Sequence, residues 1–394
     1  MTGFTVHLDE NAGPASTHAL VIGVGKYTHL DGGESPTTHV GAAGMRQLSS
    51  PPLSARAFAT WLINGYNEPL KPLASVALLL SEATPSPFVH PTTHEEHVVQ
   101  AATIDNIEAA VKEWKRRGDA DEDSRLVFYF CGHGVSQGTD VSLFASDMFA
   151  DEESPFNGAL DFGALWRGLN RCLASQQIFF VDACRASSDR LISRFGTDNR
   201  GKVPISGGEE RPEGSAKKRQ HAVYYATLDG EKSHARHDSV SLFTEALIRS
   251  LKGPGSQNIH NNVWRVSVDS LSLAMRLFMA ERQFAGTVAG VQVPVNPEAF
   301  NFDFHVLTHD PVVPVYIGCD PAHDNDRAEF VVRGTGEPER RRGPVFEAET
   351  PNAEWPQDLS LGTYEIEATV GPGDVRRASL VTHPPLRHIG LAKP

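Results

Sequence analysis

The sequence has little cysteine, no long apolar run and no basic leader. Its longest apolar stretches, residues 19–24 and 126–131, are far shorter than the ~20 residues that cross a membrane. No basic start followed by an apolar segment opens the chain, so we expect no signal peptide. Four cysteines are too few for a disulfide scaffold, namely Cys131, Cys172, Cys184 and Cys319. We therefore expect a cytoplasmic protein with reduced thiols and no membrane partner.

Excess positive charge is also missing. The 36 basic and 49 acidic residues give a formal net charge of −13, whereas a nucleic-acid-binding protein usually carries a basic face. We therefore expect no nucleic-acid partner. The apolar content of 40% and the charged content of 22% are typical of a soluble globular protein. A single core seldom grows beyond ~250–300 residues, so the length of the chain predicts two domains.

Up to about residue 300 the chain alternates short apolar runs with segments of helical periodicity. The runs are continuously apolar, which is typical of parallel strands covered on both faces. Four residues are suited to cap the intervening helices, namely Ser54, Thr103, Asp161 and Ser241. The predicted strands are residues 19–24, 75–80, 126–131, 177–182 and 222–227. The pattern predicts an α/β domain with a mainly parallel sheet.

After about residue 305 the chain consists of short β-branched or alternating segments separated by Gly, Pro and Asp. This pattern predicts a small all-β, sandwich-like domain. We place an N-terminal tail at 1–16, the α/β domain at 17–305 and the β domain at 306–394. The β domain is expected either to dock a protein partner through its sheet edges or to cover apolar surface of the first domain.

Residues 190–221 differ in composition from the rest of the first domain. They include eight basic and four acidic residues, a net charge of +4, with many Gly, Ser and Pro residues. Such a segment buries too little apolar surface to fold alone, so we expect a mobile surface loop.

Two of the predicted strands end in reactive side chains. One runs into Gly132-His133-Gly134 and the other into Ala183-Cys184, and ligands of open parallel sheets bind beyond such carboxyl ends. A thiolate is a strong nucleophile that a nearby imidazole can activate. A Gly-His-Gly segment alone is typical of a turn, and a cysteine after an apolar strand is typical of packing. Found together in this order, they indicate a catalytic pair.

Residues 126–134 (LVFYFCGHG) and 178–185 (IFFVDACR) resemble the caspase/metacaspase superfamily of cysteine peptidases. The histidine and the cysteine are 51 residues apart, near the ~50 of the caspase signature. Residues 24–27 and 241–247 are also similar, so the resemblance covers about 17–300. The Asp-x-Cys form is closer to metacaspases and bacterial caspase-like proteins. The resemblance implies a caspase-like, mainly parallel six-stranded sheet flanked by helices.

The resemblance also implies roles for single residues. Cys184 takes the place of the nucleophile and His133 that of the general base and acid, and the N–H groups of Gly134 and Cys184 take that of the oxyanion hole. Asp182 takes the place of a metacaspase aspartate that lines the primary specificity pocket and receives Lys or Arg. From the residues alone, Asp182 has an alternative interpretation, in which it caps the turn after its strand.

The sequence departs from the family pattern around this pocket. Ser54 stands where a second acidic residue is expected, and Cys131 stands where the pattern has serine. Arg236 lies close to where animal caspases place an arginine for a substrate carboxylate. We therefore count Asp182, Cys131 and Arg236 as substrate-binding candidates, and the pattern favours basic specificity.

Two weaker patterns concern metals. Residues 90–97 contain three histidines but lack the His-Glu-x-x-His order of zinc peptidases. An acidic cluster past the histidine motif is typical of a solvated face, and consists of Asp147, Asp151, Glu152 and Glu153. Because some metacaspases bind calcium with acidic groups near their site, the resemblance leaves calcium as the alternative. We otherwise expect no cofactor and no metal.

The sequence thus predicts a cysteine endopeptidase that acts on protein or peptide substrates and cleaves after Arg or Lys. The basic segment 190–221 follows the cysteine strand and offers sites for self-cleavage. The alternative function is a catalytically silent caspase-like scaffold that binds partners through its C-terminal β domain. Presence of both His133 and Cys184 argues against it, because a scaffold does not need the pair.

Overall fold

The computed structural model describes residues 3–42, 44–137, 140–183, 200–205, 216–226, 238–258, 263–284, 300–345, 348 and 350–393. The chain forms two compact units. The first consists of Met1–Ile248 and Gly290–Phe302, and the second of Arg249–Ala289 and Asp303–Pro394. Within the described ranges, no helix is long and apolar enough to cross a membrane.

The first unit contains eleven described strands and most of four described helices. The strands are β1 (Thr5–Leu8), β2 (Thr17–Val24), β3 (Leu73–Ser81), β4 (Phe88–Val89), β5 (Glu96–His97), β6 (Arg125–Gly132), β7 (Gly134–Gln137), β8 (Asp140–Phe144), β9 (Ala159–Asp161), β10 (Gln176–Ala183) and β11 (Gln220–Tyr225). The helices are α1 (Ser50–Gly65), α2 (Ile104–Gly118), α3 (Phe162–Gly168) and α4 (Leu242–Leu251).

Six strands form the central sheet in the order β1-β3-β2-β6-β10-β11. Strands β3, β2, β6, β10 and β11 pair in parallel. Strand β1, at one edge of this sheet, pairs antiparallel with β3. This confirms the predicted mainly parallel six-stranded sheet. The structure differs from the predicted tail at 1–16, because β1 lies within it. Only Val6 of its four residues is buried, so the strand leaves too short an apolar pattern to be seen in the sequence.

Both faces of the central sheet are covered, as the continuous apolar runs predict. Neighbouring residues of β6 point to opposite faces. Phe128 packs near Trp114 of α2, with ring centroids 6.1 Å apart, whereas Tyr129 stacks on Phe58 of α1 at 4.8 Å. The alternation therefore places α1 and α2 on opposite faces.

Helix capping follows the sequence at three of the four candidate positions, Thr103, Asp161 and Ser241, and differs at Ser54. Thr103 and Asp161 accept hydrogen bonds from backbone N–H groups of the first turns of α2 and α3. Helix α1 begins at Ser50 rather than after Ser54, with two prolines, Pro51 and Pro52, in its first turn. Proline is tolerated there because N–H groups of the first turn have no intrahelical partner.

The predicted mobile loop at 190–221 lies partly outside the described residues. Its described part contacts the rest of the unit: Lys202 exchanges backbone hydrogen bonds with β9, and the Arg219 guanidinium lies 5.5 Å from the ring of Trp166. The last two residues of the segment belong to β11.

The second unit contains one helix and nine further strands. The helix is α5 (Val268–Phe284). The strands are β12 (Arg265–Ser267), β13 (Asp303–Val306), β14 (Val313–Asp320), β15 (Glu329–Gly334), β16 (Arg340–Arg342), β17 (Trp355–Leu359), β18 (Thr363–Gly371), β19 (Asp374–Val381) and β20 (Arg387–Ala392).

Two sheets dominate this unit, in the orders β17-β14-β20 and β16-β15-β18-β19. Their inward side chains, among them Val315, Ile317, Phe330 and Ile366, share one apolar core, as in the predicted sandwich. Tyr316 of β14 lies 6.0 Å from the guanidinium of Arg249, so residues before the predicted boundary at 305/306 belong to the same unit. Partner docking by the β domain stays a prediction.

Candidate active site

The candidate site lies at the carboxyl ends of the neighbouring strands β6 and β10. In their parallel register Cys131 is opposite Asp182, and Gly132 is opposite Ala183. His133 is the first residue after β6. Cys184 follows Ala183 by one peptide bond and lies outside the described residues, as does Arg236. The structure therefore shows where His133 and Asp182 lie but not the side chain of the predicted nucleophile.

His133 is held by contacts at its main chain and at its ring. Its N–H donates to the hydroxyl of Tyr27 over 2.7 Å, and its C=O accepts from the N–H of Phe144 over 3.0 Å. Its Nε2 lies 2.7 Å from the carbonyl oxygen of Arg46. The Tyr27 ring lies beside the imidazole, with centroids 4.9 Å apart. The side chain therefore has a defined orientation.

The contact with Arg46 also defines the tautomer of the imidazole. A carbonyl oxygen only accepts hydrogen bonds, so Nε2 of His133 must carry the proton. In the neutral ring, Nδ1 is then the unprotonated nitrogen that can accept a proton. Burial lowers the pKa of His133 below its usual range, which favours the neutral ring near pH 7.

Two glycines permit the close approach of the segments around His133. A Cβ at Gly25 would lie 2.3 Å from the carbonyl oxygen of Leu48, and one at Gly132 would lie 2.9 Å from the hydroxyl of Tyr27. Both distances are too short for a side-chain carbon. The segment before α1 can therefore approach the end of β2, where the Leu48 N–H donates to the Gly25 C=O over 2.8 Å.

Asp182 lies in a buried cluster of hydroxyl and thiol groups and is only 3% exposed. Its Oδ2 accepts hydrogen bonds from the Ser241 hydroxyl, from the Thr244 hydroxyl over 3.0 Å and from the Cys131 thiol over 3.4 Å. Because the Thr244 proton goes to Asp182, its oxygen accepts from Tyr129 over 2.6 Å. The cluster offers one carboxylate several donors at the start of α4.

The residues at which the sequence departs from the family pattern belong to this same cluster. Cys131 is buried beside Asp182, and burial, together with that carboxylate, raises the pKa of its thiol well above the usual value. Ser54 is fully buried and accepts a hydrogen bond from the N–H of Ser241 over 3.0 Å. At these two positions the cluster therefore has the neutral hydroxyl of Ser54 and the protonated thiol of Cys131, near the carboxylate of Asp182.

The remaining thiols are not placed for nucleophilic chemistry. Cys172 and Cys319 are buried. Burial raises the pKa of Cys172 to about 12 and also raises the pKa of Cys319. Because the thiolate is the reactive form, burial disfavours nucleophilic chemistry at both residues.

Two members of the acidic cluster hold backbone groups. Asp147 accepts from the first N–H of α2, that of Ile104, over 2.9 Å. Asp151 accepts from the N–H groups of Glu153 and Ser154, each over 3.0 Å. In the part of the chain that the structure describes, no three His, Cys, Asp or Glu side chains are arranged to hold a metal ion.

Sequence reasoning missed several groups that surround His133 and Asp182. Ser241 was expected only as a helix cap, which it also is, since it accepts from the N–H of Thr244 over 3.1 Å. Thr244 could have been found one helical turn later on the same face. The carbonyl of Arg46 has no signature in a sequence, because every residue carries one.

Comparison with known proteins gives the family of this chain. The family model of the caspase domain, peptidase family C14, matches residues 16–296. An uncharacterized protein of Sinorhizobium fredii, y4kE, is 27% identical over 73% of this chain and 82% of its own length. A protein of a Desulfuromonadales bacterium named "probable protease" is 24% identical over 83% of this chain and 38% of its own length.

Among solved structures, caspase-1 from Spodoptera frugiperda aligns with 74% of this chain and 92% of its own, at 12% identity and a TM-score of 0.41. The family model, by contrast, covers more than two thirds of the sequence, including both strand ends that carry the candidate site. The chain belongs to the caspase-domain family.

Proposed function

We propose that this chain is a cysteine endopeptidase in which Cys184 is the nucleophile and His133 the general base and acid. The observation that carries the proposal is the position of His133. It is fixed at the end of β6, where the neighbouring strand pairs Ala183 with Gly132. Cys184 is the next residue after Ala183. Membership of a peptidase family makes proteins and peptides the substrate class.

The orientation of the imidazole supports this chemistry. With Nε2–H bonded to the Arg46 carbonyl, Nδ1 is the atom that takes the proton of the Cys184 thiol. The thiolate attacks the scissile carbonyl carbon, and His133 gives the proton to the leaving amine as the C–N bond breaks. Water then loses a proton to His133 and attacks the thioester, and the released Cys184 sulfur recovers the proton.

A backbone donor for the oxyanion is available at Gly134. The N–H of Phe144 bonds to the His133 carbonyl, and Gly134 is paired with Leu143 at the next position of the same ladder. Hydrogen-bonded and non-bonded positions alternate in an antiparallel pair. The Gly134 N–H is therefore directed away from β8. We assign it, with the N–H of Cys184, to the oxyanion hole.

We assign the preference for Arg or Lys to Asp182. It is the acidic group closest in sequence to Cys184 and lies at the strand end beside His133. The hydroxyls and the thiol around it keep the carboxylate hydrogen-bonded inside the protein, which offsets the cost of burying a charge. A substrate cation supplies the charge opposite to that of the Asp182 carboxylate.

Fluorogenic peptides test this assignment. We expect peptides that end in Arg or Lys before the fluorophore to be cleaved, and matched peptides that end in Asp to remain intact. Cys184→Ala and His133→Ala should cleave neither. If Asp-terminated peptides were cleaved faster, Arg236 would replace Asp182 as the residue that sets specificity.

Self-cleavage within residues 190–221 is part of the proposal. Lys202 is held by backbone hydrogen bonds to β9 and Arg219 is 8% exposed, so neither is a good cleavage site. Of the other sites that the sequence offers, Arg200 is ion-paired with Asp140, Lys217 and Lys218 are exposed, and Arg194 lies outside the described residues. Incubation of the purified chain should give two fragments that remain associated through β10 and β11. An intact chain that still cleaves peptides would refute self-processing.

A further inference from the structure

The side-chain amide of Gln47 forms three hydrogen bonds with the main chain of another segment. Its Oε1 accepts from the N–H of Tyr27 over 2.7 Å. Its Nε2 donates to the carbonyl oxygens of Tyr27 and Asp31, each over 3.0 Å. An amide suits this place because it supplies an acceptor and two donors at once. Gln47 thus binds the loop after β2 to the segment before α1.

These two segments carry the groups that orient His133. Tyr27 supplies the hydroxyl that accepts the His133 N–H and the ring beside the imidazole. Arg46, which precedes Gln47 in the chain, supplies the carbonyl that accepts from Nε2. The Gln47 side chain therefore acts with the Leu48–Gly25 backbone bond and the Asp31–Arg46 β-bridge to set the distance between the tyrosine on one side of the imidazole and the carbonyl on the other.

We propose that Gln47 is a positioning residue for His133, which acts by holding Tyr27 and the Arg46 carbonyl in place. The inference rests on the proposed function, in which His133 needs its proton on Nε2. Without the Gln47 side chain, the Leu48–Gly25 backbone bond and the Asp31–Arg46 β-bridge still join the segments, but three bonds from residue 47 to the loop after β2 are lost. The Arg46 carbonyl then holds Nε2–H less well, and rings with the proton on Nδ1 cannot accept the thiol proton.

The proposal separates turnover from substrate binding. Small displacements of a catalytic group cost up to ~100-fold in rate, whereas the Asp182 carboxylate is held from another part of the chain, by Ser241, Thr244 and Cys131. We expect Gln47→Ala to lower kcat about 10- to 100-fold for an Arg-terminated fluorogenic peptide. The KM should stay within about twofold, because the Gln47 amide is directed at the main chain of Tyr27 and Asp31.

Gln47→Glu sharpens the test because it changes only the donors. Its carboxylate can still accept from the Tyr27 N–H but faces two carbonyl oxygens without a proton to donate. Above the carboxyl pKa its kcat should fall at least as far as that of Gln47→Ala. As the pH decreases and the carboxyl is protonated, one donor returns, so its activity relative to wild type should rise. Thr38→Ala, an exposed change in the same loop, is the matched control.

A spectroscopic readout keeps the test independent of activity. Nitrogen-15 NMR of histidine-labelled protein distinguishes the two tautomers, and the signal of His133 is the one absent from His133→Ala. Wild type and Thr38→Ala should show the Nε2–H form, and Gln47→Ala should show a mixture with the Nδ1–H form. If the Ala variant does not fold, Gln47→Glu gives the same comparison.

Two results would overturn the proposal. One is a kcat within about twofold of wild type in both variants with the Nε2–H tautomer retained. The other is a lower kcat with an unchanged tautomer and an unchanged pH profile, which would reduce Gln47 to a structural role. A wild-type protein without peptidase activity would instead refute the proposed function, and the tautomer measurement would still decide the role of Gln47.

Discussion

His133 and Asp182 lie at the ends of adjacent strands, yet the protein holds them in different ways. The imidazole of His133 bonds to a main-chain carbonyl, and its N–H bonds to one tyrosine hydroxyl. The carboxylate of Asp182 bonds to side-chain hydroxyls and a thiol. The histidine environment therefore depends on the course of the backbone, and the aspartate environment depends on the chemistry of individual side chains.

The difference follows from the charge that each group must bear. A buried carboxylate needs donors, and short hydroxyl side chains supply them without further charge. The start of α4 beside Asp182 also favours an anion. The imidazole needs a fixed tautomer more than a stabilised charge, and a single carbonyl provides it. Substitutions around His133 and substitutions around Asp182 should therefore affect activity and stability in different ways.

Removal of the imidazole has the largest expected effect. His133→Ala should lower kcat/KM for Arg-terminated peptides by at least about 10³-fold, because base and acid are lost together. The double variant with Cys184→Ala should be no worse than either single variant, since the two groups act as a unit. Steady-state kinetics and thermal unfolding check this, with the melting temperature nearly unchanged. Residual activity that falls further in the double variant would contradict a shared step.

Asp182→Asn should have the next largest effect. The amide has nearly the same shape but no charge for a substrate cation, so kcat/KM for Arg peptides should fall about 100-fold. The variant should also unfold at lower temperature, because its NH₂ group or its neighbours lose partners in the buried cluster. Asp151→Asn, in an exposed loop, is the control. Full activity of Asp182→Asn would leave Asp182 only its structural role.

Removal of one donor at a time should have an intermediate effect. Ser241→Ala and Thr244→Val each take one hydrogen bond from the carboxylate, which costs about 1 kcal/mol of unfolding free energy and up to about tenfold in kcat/KM. The pair should couple in a double-mutant cycle, because both bind the same oxygen. Chemical denaturation and peptide kinetics on the two single variants and the double variant measure this. Strictly additive losses would show that the donors act separately.

Cys131→Ser should have the smallest effect. The serine hydroxyl can donate to Asp182 as the thiol does over 3.4 Å, so activity should stay within about threefold of wild type. Cys131→Val removes the donor at similar volume and is the matched comparison. Equal activity of the serine and valine variants, measured with Arg-terminated peptides, would mean that the thiol hydrogen bond has no role.

The comparison also explains what could be predicted from the sequence. Side chains that act through their own chemistry leave a pattern, so Thr103, Asp161 and Asp182 were found at their strand and helix ends. The main-chain carbonyl of Arg46 leaves none. The edge strand β1 was missed because only one of its four residues is buried.

In the second unit, two strands leave a weak apolar pattern for the same reason. Strand β17 contains a proline, and its burial alternates with exposed positions; β20 buries only Leu391. Both lie at the edges of their sheet, where few apolar residues are needed. Central strands of the first unit, buried along their whole length, gave the clearest signal.

The most direct test of the catalytic pair is to expose a proteome-derived peptide library to wild type and to Cys184→Ala and to identify the new termini by mass spectrometry. We expect new termini that follow Arg or Lys with wild type and none above background with Cys184→Ala. The same termini with both proteins would contradict the role of Cys184. No termini with wild type, correctly folded by thermal unfolding, would contradict the peptidase assignment and favour the silent scaffold.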